Sequence, residues 1–136
     1  MSRIPIFLSC MTLTLAAGCR RDADADLPAR YREMTAPSER LASEAGRLRG
    51  RELYVQYCAL CHGENADGRG VRREGLSTSP RDFTDPEWRR RFSPRRVFWT
   101  LREGKPNTAM PAWGALSDEE LWDITAYVLS VARQVS

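Results

Sequence analysis

The residues that could do chemistry stand together, as Cys58-Ala59-Leu60-Cys61-His62. Two thiols three positions apart at the end of a helix can add to the two vinyl groups of a haem. The next residue is then carried beneath the iron as an imidazole ligand. A shuffled chain of this composition would contain the pattern with a probability of roughly 6 × 10⁻⁴, so chance is a poor account of it. Two other chemistries use the same residue types. A redox C-x-x-C normally opens a helix in a β-rich fold, and zinc needs a fourth ligand. This chain has one histidine, no further cysteine near the motif, and no long stretch that alternates with strand period.

The other side of such an iron can be argued by elimination. With His62 the only histidine, two imidazoles from one chain are impossible. Of four methionines, Met1 and Met11 fall in an apolar N-terminal segment and Met34 in a polar stretch before the motif. Met110 remains, in Asn107-Thr108-Ala109-Met110-Pro111-Ala112-Trp113-Gly114. Pro111 biases Met110 towards an extended backbone, which suits a loop strapped across a haem face. The competing use is a methionine filling a core gap. In that case the iron would be five-coordinate, as in a haem sensor or peroxidase.

The elements that must position these groups are helical. Leu53, Tyr54 and Tyr57 make an apolar face leading into the cysteines. Gly50 on that helix is expected to permit a close helix–helix approach. Thr84 with Glu87 suggests a capping box for a short helix around Trp88. Ser93-Pro94 starts a further helix whose buried face is Val97, Phe98 and Leu101 and whose stop is Gly104. Ser117 with Glu120 caps the last helix, lined by Leu121, Ile124 and Val128. The fold class is therefore all-α, with long loops. A domain of about 90 residues with so much loop needs a staple, metal or cofactor to be stable.

Composition sets the outer bounds. The chain has 136 residues, 42% hydrophobic and 29% charged, which suits one small globular domain and excludes wholesale disorder or a polytopic membrane protein. A net charge of +3 is too small to argue for nucleic-acid binding. Met1-Ser2-Arg3 followed by apolar Ile4 to Ala17 is too short to span a bilayer, which takes about 20 residues, and reads as an export signal over 1–18. Its ending, Ala16-Ala17-Gly18-Cys19, resembles the lipobox of bacterial lipoproteins, which implies lipidation at Cys19. Losing residues 1–18 leaves Cys19, Cys58 and Cys61, and a lipid on Cys19 would leave no unpaired exported thiol. Residues 19–44 read as a flexible tether and 45–136 as the folded domain. The expected location is the periplasmic side of a bacterial membrane, and Arg20 after Cys19 points to an outer one.

Residues from about 46 to 132 resemble a class I c-type cytochrome domain of the bacterial mono-haem group. The features are Gly50 and Tyr54, the run Cys58 to His62 with Gly63, Gly68 and Gly70, Met110-Pro111-Ala112-Trp113, and Leu121-Trp122-Asp123-Ile124 with Tyr127. The resemblance implies one haem c per chain, thioether links at Cys58 and Cys61, a proximal ligand at His62 and a distal one at Met110. It also implies a carbonyl offered to the other nitrogen of His62 by the proline after the motif, matched here by Pro80. Such a protein carries single electrons between redox proteins of a respiratory chain. It takes no small-molecule substrate and is no enzyme itself, although it can also serve as the haem subunit of a larger oxidoreductase. Residues 69–105 carry 11 basic and 5 acidic side chains, so Arg89, Arg90, Arg91, Arg95 and Arg96 are either a docking face for an acidic partner or a solvated helix face. Trp88, Trp99 or arginines could hold the haem carboxylates.

Overall fold

The computed structural model describes residues 23–131, so the signal expected over 1–18 and Cys19 lie outside the described residues. Among the described residues there is no strand, and seven helices follow one another: α1 (Ala29–Arg32), α2 (Ser38–Ala42), α3 (Glu44–Tyr57), α4 (Ala59–His62), α5 (Pro86–Arg91), α6 (Pro94–Glu103) and α7 (Asp118–Val131).

The frame is the crossing of α3 and α7. Ser43 starts α3 by accepting the Gly46 N–H at 2.9 Å. Gly50 makes the crossing possible, because a Cβ there would stand 1.9 Å from the Asp123 carbonyl oxygen. The expected capping box opens α7: the Ser117 N–H donates to the Glu120 carboxylate at 2.8 Å, and the Glu120 N–H to Ser117 Oγ at 3.3 Å. Leu121, Ile124 and Val128 are buried as expected, with Trp122, Leu129 and Val131 beside them. Asp123 is buried too, its carboxylate held by Arg40 at 2.9 Å and Arg49 at 2.8 Å. A carboxylate so placed is tolerable only with such partners.

Helix α6 follows its sequence signals. Ser93 Oγ accepts the Arg96 N–H, Pro94 occupies the first turn, Val97, Phe98 and Leu101 are buried, and Gly104 ends it at φ 72°. Phe98 stacks on Trp122 with ring centroids 4.2 Å apart, which joins α6 to α7. In α5 the cap is Asp85, which accepts the Glu87 N–H at 2.8 Å, and not the expected Thr84. Pro86 is preorganised for the first helical position and so fixes the residue before it as the cap. Thr84 instead donates its hydroxyl and N–H to Asp82.

Over 23–44 the structure corrects the expected tether. Leu27 and Tyr31 are buried, and Met34 packs against the core. Asp24 and Asp26 meet Arg95 and Arg96 of α6, and Tyr31 and Arg30 both donate to Glu103. Leu27, Tyr31 and Met34 recur at i, i+4 and i+7, an apolar face too brief to register against the surrounding charge. The complementary arginines lie some 70 residues downstream and become partners only once the chain has folded.

Candidate cofactor site

The Cys58–His62 turn is held from three directions. Cys58 closes α3, and α4 continues as a single turn in which the His62 N–H donates to the Cys58 carbonyl at 2.9 Å. Tyr54 lies under the turn, and its hydroxyl donates to the Gly63 carbonyl at 2.8 Å. The loop that follows is bonded back onto it: Gly68 N–H to the His62 carbonyl at 2.8 Å, Gly70 N–H to Cys61 at 3.1 Å, and Arg72 N–H to Leu60 at 3.0 Å. Gly70 approaches so closely that a Cβ would stand 2.4 Å from the Cys61 carbonyl carbon.

His62 is oriented from its second nitrogen. Its Nδ1 lies 3.1 Å from the Arg81 carbonyl, which can only accept, so Nδ1 carries the proton and Nε2 keeps a free lone pair. The expected carbonyl was that of Pro80; the structure places this role on the next residue, while the Pro80 oxygen lies against Gly68, 2.8 Å from where a Cβ would be. The ring stacks on Phe83 at 4.8 Å. Burial holds the imidazole below its ordinary pKa, which favours the neutral form that a metal requires.

The cysteines do not suit the competing chemistries. Cys58 and Cys61 are free, and burial, with a smaller contribution from Cys61, pushes the Cys58 thiol up to about 12. A redox-active C-x-x-C needs a lowered thiol pKa, the opposite of what this environment produces. Among the described residues no three His, Cys, Asp or Glu side chains come together as a zinc site would require.

Cys58, Cys61 and His62 open on a cavity of about 560 Å³, walled mainly by apolar and aromatic side chains that include Phe83, Phe92, Val97, Leu101 and Val128. Met110 lines the same cavity. Met34 lies elsewhere, with Phe98 and Arg102. The Met110 segment is a compact loop. The Met110 N–H donates to Thr108 Oγ1 at 3.1 Å, its carbonyl accepts the Lys105 N–H at 3.0 Å, and the Trp113 N–H reaches the Leu101 carbonyl at 2.8 Å. Gly104 lets this loop close on α6, because a Cβ there would stand 2.9 Å from the Met110 carbonyl oxygen.

These residues fit a haem. The volume and apolar walls suit a flat, largely hydrophobic group, and one polar atom is left for it. The Trp113 indole N–H is buried with no partner among the described residues, although the ring lines the cavity. Such a donor is costly unless an acceptor arrives. Arg96 and Lys105 line the cavity as well, so the haem carboxylates have cations within it. Trp88 and Trp99 line the cavity, and Trp88 packs against Phe83 and Phe92. The sequence marks Trp113 only as part of the Met110 segment, and it carries no signal for the Tyr54 hydroxyl or the Arg81 carbonyl as positioning groups.

Comparison with known proteins gives the family. Cytochrome c55X of Stutzerimonas stutzeri is 35% identical over 71 residues, covering 50% of this chain and 51% of that protein. The cbb3-type cytochrome c oxidase subunit FixP of Azorhizobium caulinodans is 33% identical over 81 residues, 59% of this chain and 25% of that one. The chain thus spans about half the length of the first relative and a quarter of the second. Among solved structures, the c-type cytochrome KustC0563 matches with a TM-score of 0.51 at 34% identity, covering 60% of this chain and 95% of that one. A chain of the Kuenenia stuttgartiensis reducing HAO-like protein complex matches with a TM-score of 0.58 at 30% identity, over 65% of this chain and 44% of that one. Residues 46–128 match the family described as cytochrome c oxidase, cbb3-type, subunit III, and the protein belongs to that family of c-type cytochromes, with haem c bound covalently through Cys58 and Cys61.

Proposed function

We propose that this protein is an exported mono-haem electron carrier whose iron is held between His62 and Met110. The observation that carries the reading is that Met110 is the one methionine, among the described residues, to share the cavity with His62. The haem supplies one-electron ferric/ferrous chemistry. The chain supplies the rest. The Arg81 carbonyl fixes the His62 tautomer and ring plane. The thioether of Met110 is a soft ligand that favours the ferrous state, and the apolar walls exclude water, so both raise the potential. With His62 and Met110 both bound to the iron, no position would remain for oxygen or a substrate.

Export and lipidation at Cys19 belong to the same proposal and rest on the charged start, the short apolar run and the small residues before Cys19. Radiolabelled palmitate incorporation that is lost in Cys19→Ala would support the anchor, and an unlabelled wild-type protein would sink it. A second reading, as the haem subunit of a larger oxidoreductase, is favoured by the names of FixP and the HAO-like complex. Co-purification from the native membrane separates the two: a stoichiometric partner enzyme supports the subunit, and a protein recovered alone supports the carrier. The test of electron transfer itself is a spectroelectrochemical titration. The proposal expects a single reversible one-electron wave at positive potential, and a haem that binds carbon monoxide or cyanide readily would overturn it.

A further inference from the structure

The first half of the expected tether is bonded to α6 along its length, and this changes how far the haem can travel from an anchor. The Arg96 guanidinium donates to the Ala23 carbonyl at 2.8 Å and pairs with Asp26. Asp24 is buried, accepts the Ser93 hydroxyl and meets Arg95. Leu27 and Tyr31 are 3% and 5% exposed, and the Tyr31 ring lies against Phe98. At the far end, Arg95 donates to the Met34 carbonyl at 2.8 Å. Residues 23–34 are thus fastened from first to last, and the fastening begins at the first described residue.

Ala23 stands four positions after Cys19. An extended chain spans at most about 3.6 Å per residue, which puts Ala23 within about 14 Å of Cys19 and Asp26 within about 25 Å. A chain left free over 19–44 would reach about 90 Å by the same measure. Asp26 lines the haem cavity together with Phe92, Arg96 and Val97. One rim of the cavity is therefore held close to whatever holds Cys19. Charge does not select this face, because residues 23–26 and 82–96 together carry five basic and five acidic side chains. Chain length selects it.

We propose that residues 23–34 are a docking strap that seats the haem domain on a lipid surface, with residues 23–26 and the start of α6 beside the phospholipid headgroups. The proposal rests on the reading of Cys19 as lipidated. A long free leash would let the haem sweep out to soluble proteins. The strap instead confines electron exchange to partners that stand at the same membrane surface, and it gives the domain one preferred orientation there. Because the charges of this face balance, the seating is independent of whether the lipid is anionic or zwitterionic.

The test uses the full-length, haem-loaded protein, purified with its lipid and reconstituted in phosphatidylcholine vesicles that carry a dansyl headgroup probe. The haem quenches the probe by energy transfer, so quenching reports its distance from the lipid surface. The wild type is expected to quench strongly. An insert of about 24 Gly and Ser residues between Asp22 and Ala23, which adds about 27 Å of mean reach, should lower the quenching about twofold or more. Replacing Asp24, Leu27 and Tyr31 together by Ala undocks the strap and should lower it likewise with the haem absorption unchanged. The insert precedes the first described residue, so it tests the reach by itself even where the triple variant loses its haem. Quenching equal in the wild type and the insert variant, or unmoved in a triple variant whose haem spectrum is intact, would overturn the strap. A wild type that fails to float with the vesicles would instead overturn the reading of Cys19, and the membrane role of the strap with it.

Discussion

The wall of the cavity that carries His62 and the wall that carries Met110 are held in different ways. On the His62 side, hydrogen bonds arrive from three separated parts of the chain: the Tyr54 hydroxyl, the loop from Gly68 to Arg72, and the Arg81 carbonyl. On the Met110 side, most bonds close within the loop itself, among Lys105, Thr108 and Met110, and the loop is attached to α6 at Leu101 and Gly104. The first wall is fixed by the fold as a whole and the second by local contacts, which open at lower free energy. The covalent links lie on the rigid wall, where they keep the cofactor permanently. On the proposed ligation, the exchangeable sulfur ligand would lie on the wall that can yield.

That contrast can be broken by mutation. The largest effect is expected from Cys58→Ser combined with Cys61→Ser, which should abolish haem retention on a denaturing gel while Met110→Leu keeps all of it. Gly70→Ala comes next, because its Cβ would meet the backbone of Cys61. It should cost about 2–3 kcal/mol in urea unfolding. Gly114→Ala, at the end of the Met110 segment and with nothing within 4 Å of its Cβ, should stay within about 0.5 kcal/mol. Tyr54→Phe strands the buried Gly63 carbonyl and should cost about 1–2 kcal/mol by the same measurement. A smaller cost in stability than that of Tyr54→Phe, about 0.5–1 kcal/mol, is expected from Thr108→Val, which removes one acceptor from the Met110 N–H. Its signature would lie elsewhere, in a severalfold easier displacement of Met110 by added imidazole. Equal effects of Gly70→Ala and Gly114→Ala would erase the difference between the walls.

Sequence made the rigid wall more legible than the yielding one, for a physical reason. The five-residue motif, the Gly50 crossing and the caps at Ser93 and Ser117 are local patterns whose chemistry is complete within a few residues. The carbonyl that orients His62 is a backbone atom, and its direction depends on φ and ψ that no side chain announces. Sequence therefore pointed to Pro80, where the fold supplies Arg81. The segment 23–44 failed as a tether for a related reason. Its acidic residues read as solvated until α6 brings Arg95 and Arg96 against them. The same pairing means that Arg95 and Arg96 are neither a simple solvated face nor a free docking face.

The central claim is that one iron is held by both walls, and the visible and far-red absorption of the ferric protein tests it most directly. The account predicts a low-spin spectrum with the weak far-red band of methionine sulfur on ferric iron, present in the wild type and lost in Met110→Leu. A wild-type protein that is high-spin and lacks this band would contradict it, leaving Met110 as wall and the haem as a five-coordinate sensor or peroxidase centre.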